Sequence, residues 1–422
     1  MPLGRLLATV AAALAASASA GAAGPALPSF LTAWGTAGTG DGAFKLANGI
    51  AVDDRGDVYV ADTDNNRIQE FSFDGRFVAR LGRNGGDGSA GSGPGELARP
   101  FGVAVDGWGN VYVADNVNDR VVKYSSRGRF VAAWGSTGAG AGQLDDPRGL
   151  GVGPNGHLYV ADHGNNRIVE FTSAGGFVRM WGRNGGDGSA GSAPGELNQP
   201  RGVGFDRAGN VYVAEKLNHR IQKFTADGRS LASWGGLGSG DGQLNTPYGV
   251  VVDGAGHVFV ADTVNNRIQV FDTAGRFLGK WGRNGGDGSA GSAPGEFEGV
   301  YGIAVDCRGN VYATDEDNAR VQKFGNRAAP APACPPKLTL LAPRRATPGR
   351  TLVVRASCDR ACVVRVGGAG LRSASVELDV RGTARLGLRV LPGAPRRVTL
   401  VARAAGLAGK SRALRRSVGV SR

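Results

Sequence analysis

Short apolar runs separated by polar turns recur along most of the chain. One stretch displays the unit: "GVAVD", the turn "GWGN", "VYVAD", the loop "NVND", "RVVKY", the turn "SSRG" and "RFVAAWG". Each run spans four to seven residues rich in Val, Ile, Tyr and Phe, bounded by Gly, Asn, Asp or Ser, which predicts four antiparallel strands, here called a, b, c and d. The unit begins at Gly49, Gly102, Gly149, Gly202, Gly249 and Gly302, at spacings of 53, 47, 53, 47 and 53 residues. A lone four-stranded sheet cannot bury both faces, whereas copies closed into a ring can. The pattern therefore predicts an all-β, six-bladed β-propeller over residues 28–325.

The last copy ends at Phe324 without a strand d. At the other end, "SFLTAWG" (residues 29–35) places Phe30 and Trp34 at the spacing of Phe130 and Trp134. The N-terminal strand is thus expected to close the last blade and remove an open sheet edge. Trp34, Trp134, Trp181, Trp234 and Trp281 end strands d, with Leu81 in the remaining place. They read as wedges between blades, with stacking against a sugar as the alternative.

The recurring "G-[IVLF]-x-V/F-D … VYVAD … N-x-R" pattern resembles NHL repeats from about Ser29 to Phe324. That resemblance implies six-bladed propellers that mostly serve as binding platforms. Animal tripartite-motif ligases use one for RNA or protein, bacterial receptor kinases carry one outside the cell, and the peptide-amidating lyase uses the architecture for zinc-dependent catalysis. The chain lacks a Cys/His array of RING spacing, so ubiquitin transfer is not implied.

Every b–c loop reads acid, two free positions, Asn, one free position, Arg. The acids are Asp62, Asp115, Asp162, Glu215, Asp262 and Asp315. Asn65, Asn118, Asn165, Asn218, Asn265 and Asn318 follow, then Arg67, Arg120, Arg167, Arg220, Arg267 and Arg320. Asn closes Asx-turns and an Arg fork pairs a carboxylate, so this repetition reads as fold cement. The paired free positions are Thr63-Asp64, Asn116-Val117, His163-Gly164, Lys216-Leu217, Thr263-Val264 and Glu316-Asp317. They are mixed and slightly acidic, which argues against a nucleic-acid platform. Asp64, His163, Lys216, His219 and Glu316 are expected on a ligand-binding face. "DTDNNR" lacks the Gly and Glu of an EF-hand, and His163 with His219 make only a weak zinc signal. No metal, other cofactor or catalytic residue is expected.

"GRNGGDGSAGS" occurs at residues 82–92, 182–192 and 282–292, between strand d of one blade and strand a of the next. A strand follows where a phosphate loop needs a helix, and Ala90 stands where the calcium nonapeptide needs Asp. The segment extends "GSTGAGAGQLDDP" by six residues, so long and short loops alternate. Three Gly-rich fingers are expected about 120° apart on the b–c face. They present Arg83, Asp87, Glu96, Arg183, Asp187, Glu196, Arg283, Asp287 and Glu296 to a ligand.

Among 422 residues, 72 glycines without a Gly-X-Y period fit many tight turns. Arg5, an apolar run and Ala18-Ser19-Ala20 read as a signal peptide over residues 1–23, hence a secreted or cell-surface protein. No later stretch is long and apolar enough to span a membrane. Residues 326–336 form a Pro/Ala-rich linker, and seven short β runs over 337–422 suggest a small Ig-like β-sandwich. Four cysteines predict two disulfides: Cys358–Cys362 across a hairpin, and Cys307–Cys334 pinning the linker to the propeller. From Asn326 onward 20 Lys+Arg face 3 Asp+Glu, against 29 and 33 before it. That surface either attracts anionic cell-wall polymer or reflects Arg-rich composition alone. The reading is an exported, monomeric, non-catalytic scaffold binding a protein, peptide or glycan. The alternative is a metal-dependent lyase or lactonase working at the channel mouth.

Overall fold

The computed structural model describes residues 27–325 with their side chains and, beyond them, the backbone of strands between 338 and 420. Residues 28–325 hold six four-stranded antiparallel sheets. The first blade shows the plan, with strand a at Ala47–Val52, b at Val58–Asp62, c at Arg67–Phe71 and d at Phe77–Leu81. Strands b are the most buried elements, since "VYVAD" lies between two neighbouring sheets and every residue of it is enclosed.

The sixth sheet takes its outer strand from the N-terminus. Ser29–Trp34 pairs antiparallel with Arg320–Gly325, with Ser29 opposite Gly325, Trp34 opposite Val321, and a bulge between Phe30 and Thr32. The ring closes as the Phe30 and Trp34 spacing indicated.

The tryptophans sit at blade seams. The Trp134 ring lies 6.2 Å from Tyr112 in its own blade and 6.3 Å from Phe171 in the next, and Trp181, Trp234 and Trp281 repeat the arrangement. Each is a wedge filled from both sides rather than an open stacking platform.

The glycine that begins each copy forms a collar at the axis. There strands a of adjacent blades touch backbone to backbone: a Cβ on Gly149 would lie 1.9 Å from the Arg201 carbonyl oxygen, and one on Gly102 2.2 Å from that of Arg148. Backbone cannot yield as a flexible side chain does. Gly149→Ala is expected to destabilise the ring by about 1–3 kcal/mol or more, measured by urea denaturation; an unchanged midpoint would mean that the collar is loose.

Antiparallel order puts the d–a and b–c loops on one face and the a–b and c–d turns on the other. Long fingers alternate with short loops that close on themselves through parallel pairing, as Thr36–Ala37 does with Ala43–Phe44 and Thr137 with Leu144.

Beyond the propeller, the described residues include eight strands in sheets of three and five. The hairpin expected at Cys358 and Cys362 is not formed. The strand ending at Cys358 belongs to the three-stranded sheet and pairs with 338–341 and 382–389, while the strand beginning at Cys362 belongs to the five-stranded one. The two strands therefore have no partner in common, since one pairs within the three-stranded sheet and the other within the five-stranded sheet. The Ig-like assignment itself remains an expectation. Cys307 lies in the a–b turn of the last blade and is disulfide-bonded. Cys334, like the signal peptide and linker, lies outside the described residues, so its pairing remains an expectation too. No helix among the described residues is long and apolar enough to cross a membrane.

Candidate functional site

The b–c loops are built first from their own repeat. Asp62 accepts the Lys45 N–H at 2.7 Å, Asn65 Nδ2 at 2.9 Å and Arg67 Nε at 2.8 Å, and Arg67 also donates to the Gly40 and Ala43 carbonyls of the preceding loop. Asp115, Asp162, Glu215, Asp262 and Asp315 stand in the same frame with their own Asn and Arg. Their oxygens are filled, which leaves these groups little to offer a ligand.

The position between Asn and Arg is a staple to the next blade. Asn66, Asp119, Asn166, His219, Asn266 and Ala319 all hold φ of 45–50°, a left-handed conformation. Asn66 Oδ1 accepts the Arg99 N–H, Asp119 that of Asp146, Asn166 that of Gln199 and Asn266 that of Gly299, each at 2.9 Å. His219 does the same through Nδ1, from the Thr246 N–H at 3.0 Å. His219 shares the face on which it is expected, with its accepting nitrogen engaged in holding blades together.

The fingers are likewise self-contained. Arg83–Gly85 makes one tight turn with Asn84 at φ 47°, and Gly85 and Gly86 continue at 74° and 76°, so the glycines supply left-handed backbone. Asp87 accepts from Ser89 N, Ser89 Oγ and Asn84 Nδ2, and Asp187 and Asp287 repeat this. Arg83 donates to the Ala90 carbonyl and faces Glu96 at 3.3 Å; Arg183 with Glu196 and Arg283 with Glu296 are looser, at 3.6 and 3.9 Å. Blade side chains tie the finger down, Asn66 at Gly88 O and Arg120 at Ser92 O.

The Ser and Asn donors hold each finger Asp well below the usual carboxylate range, at about 2. A depressed acid contributes order above its unfolded pKa, near 3.8, and loses it as pH falls through about 2. Amides of residues 82–96 should therefore exchange as slowly at pH 4 as at pH 7, after correction for intrinsic rates, and faster at pH 2. Exchange unchanged at pH 2 would show that the Asp does not hold the loop.

The residues left over meet around the channel axis. The residue before each collar glycine is Asn48, Phe101, Arg148, Arg201, Tyr248 or Tyr301. Their carbonyls follow one another around the mouth on the b–c face, each against the collar glycine of the preceding blade. Arg148 lies over the Phe101 ring at 3.9 Å, Arg201 over Tyr248 at 4.8 Å, and Tyr248 meets Tyr301 edge to face at 5.0 Å. The first free b–c positions, including His163, Lys216 and Glu316, lie beside them.

The mouth is electrically polarised. Blades three and four bring Arg148, Arg201 and Lys216, with Asp146 bound to Arg148 at 2.9 Å and to Asn116. Blades six and one bring Glu316, Asp317 and Asp64, the last paired with Arg99 at 3.0 Å. Burial and the neighbouring Arg148 lower the Arg201 pKa; burial and Asp317 push Glu316 up to about 7. His163 is buried beside Asp146, and burial outweighs that carboxylate to bring its pKa down to about 3, leaving a neutral ring.

Among the described residues, buried side-chain polar atoms without a hydrogen-bond partner fall into two groups. Five are the Trp Nε1 atoms at the seams. Eight are at the mouth: Asn48 Oδ1, Arg148 Nε, His163 Nδ1, Gln199 Oε1, Arg201 Nε, Tyr248 Oη, Thr263 Oγ1 and Glu316 Oε2. The one other, Glu170 Oε2, faces Arg179 at 3.0 Å. Unpaired buried polar groups cost stability, so these atoms call for partners from outside the chain, water or ligand.

Beyond the collar, on the a–b face, lies a wider cavity of about 1170 Å³ lined by Val52, Val105, Val152, Val203 and the turn acids. Those acids are occupied: Asp53, Asp106, Asp206, Asp253 and Asp306 each cap their own turn through backbone N–H groups. None of the unpartnered atoms belongs to its lining. Among the described residues no group of three or more His, Cys, Asp or Glu could hold a metal ion.

The NHL repeat model matches residues 44–71, 144–171, 197–224, 244–271 and 302–324. The chain is 33% identical over 106 residues to NHL repeat-containing protein 3 of Mus musculus, which covers 24% of this chain and 29% of that protein. It is 34% identical over 104 residues to protein brain tumor of Drosophila melanogaster, covering 24% of this chain and 10% of that protein. These matches thus span less than a third of either relative. In fold the chain is similar to a protein of unknown function from Bacteroides thetaiotaomicron, with TM-score 0.53, 18% identity and coverage of 71% of this chain and 76% of that one. A gluconolactonase from Xanthomonas campestris aligns at TM-score 0.49 and 15% identity, over 72% of this chain and 98% of its own. The chain carries NHL repeats on a six-bladed β-propeller.

Proposed function

We propose that the protein is a binding platform that takes its ligand at the channel mouth on the b–c face, with the fingers as a rim. The observation that carries this is the concentration of unpartnered buried polar atoms at the mouth and their absence from the lining of the larger cavity opposite. Proteins with NHL repeats commonly act as binding scaffolds, which supports the same reading. Export through residues 1–23 and retention at an anionic cell wall by the basic C-terminal part complete it.

A glycan and peptide array probed with the full chain tests it. Ligands retained by the protein should be lost by Tyr301→Ala at the mouth and kept by Asp187→Ala in a finger. The opposite pattern would move the site to the fingers, and turnover of a retained compound would make the protein an enzyme. Retention on cell walls should disappear in high salt; retention that resists salt would dismiss the electrostatic anchor.

A further inference from the structure

We propose that the mouth recognises a uronate, with the sugar carboxylate seated between Arg148 and Arg201. The assignment deepens the reading of the mouth as the binding site and rests on it. Arg201 makes no ion pair and no side-chain hydrogen bond among the described residues; it lies against the Tyr248 ring, with Arg148 as a like-charged neighbour. A guanidinium half removed from water beside another cation is stable only at a cost that an incoming anion relieves. Asp146 pairs directly with Arg148 and acts on Arg201 only through its field, with no hydrogen bond or ion pair to it.

The planar guanidinium fork fits a carboxylate in two parallel hydrogen bonds. Around the mouth the charged side chains nearly balance, with Glu316, Asp317 and Asp64 across from the arginine pair. That balance favours a singly charged group over a phosphate or sulfate cluster. The rest of the ligand is read from the unpartnered atoms, which mix donors (Arg201 Nε, Tyr248 Oη) with acceptors (Asn48 Oδ1, Gln199 Oε1, Glu316 Oε2) around a ring rather than along a line. Hydroxyl groups both donate and accept, so a polyol satisfies such a ring, whereas an extended peptide needs a linear row. The excess of 20 Lys+Arg over 3 Asp+Glu from Asn326 onward suits a chain end of an acidic polysaccharide better than a free sugar.

Calorimetric titration with galacturonate, galactose and a galacturonate trimer tests the assignment. Galacturonate is expected to bind and galactose to bind at least about 10-fold more weakly, with the trimer tightest. Arg201→Gln and Arg148→Gln should each weaken galacturonate binding about 10- to 100-fold, and Arg201→Lys should fall between them and the parent. Melting temperatures of the variants, measured alongside, separate lost binding from lost folding. Equal binding of galactose and galacturonate, or wild-type affinity in Arg201→Gln, overturns the proposal. If instead peptides or neutral glycans bind and Tyr301→Ala removes them, the mouth reading stands and the uronate assignment falls. If galacturonate binds and only the finger variant loses it, both fall.

Discussion

A chain lacking residues 29–35 is expected to lose the cooperative unfolding transition of the whole ring. The strand does more than fill a gap in the last sheet. Phe30 packs edge to face on Phe324 at 6.1 Å, and Trp34 reaches Phe71 at 6.0 Å and Tyr312 at 6.3 Å, so one short segment fills the seam between the last blade and the first. Its removal bares the edge of strand Arg320–Gly325 and takes away the wedge. Truncating one such Trp costs about 3–5 kcal/mol, a large part of the roughly 5–15 kcal/mol that holds a domain folded. Scanning calorimetry should show a broadened transition or none. A truncated protein melting at the wild-type temperature would show that the ring does not depend on its clasp.

The second large effect is expected at the buried ion pairs. Arg167 and Asp162 are both fully buried, 2.7 Å apart, with Arg167 also donating to the Ala139, Gly140 and Gln143 carbonyls. Asp162→Ala leaves that guanidinium enclosed without its counter-charge and should cost about 3–5 kcal/mol in urea denaturation. Pairing it with Arg167→Met should recover much of the loss, because the desolvated charge is then gone. A single variant within about 1 kcal/mol of wild type would mean that water reaches the pair in solution.

The strands, the ring and its closure are readable in the sequence because each follows from local rules repeated along the chain. Alternating Val, Tyr and Ala in "VYVAD" needs no partner to be recognised, and the matching of Phe30 and Trp34 with Phe130 and Trp134 reveals the clasp. Side chains whose meaning depends on the neighbouring blade are harder. The position of Asn66, Asp119, Asn166, His219 and Asn266 looked free, yet nearly every occupant can accept a hydrogen bond and tolerate positive φ; Ala319 alone does neither well.

The mouth is hard to read for the converse reason. Asn48, Phe101, Arg148, Arg201, Tyr248 and Tyr301 vary beside a glycine that never does, and that contrast was the available signal. Charge points to the fingers, yet their "NGGDGS" already contains the Asn and Ser that hydrogen-bond to Asp87, Asp187 and Asp287. The strands around Cys358 and Cys362 show the remaining gap: adjacency in sequence suggests a hairpin, whereas the two strands belong to separate sheets, each with its own partners.

If the mouth is a site held open for a ligand, the fold should not need its arginine. The melting temperature of Arg201→Gln, measured beside array binding, tests this most directly. The account predicts a melting temperature equal to or above wild type, by up to a few degrees, with binding lost. A drop of several degrees with binding intact would make Arg201 part of the framework and contradict it.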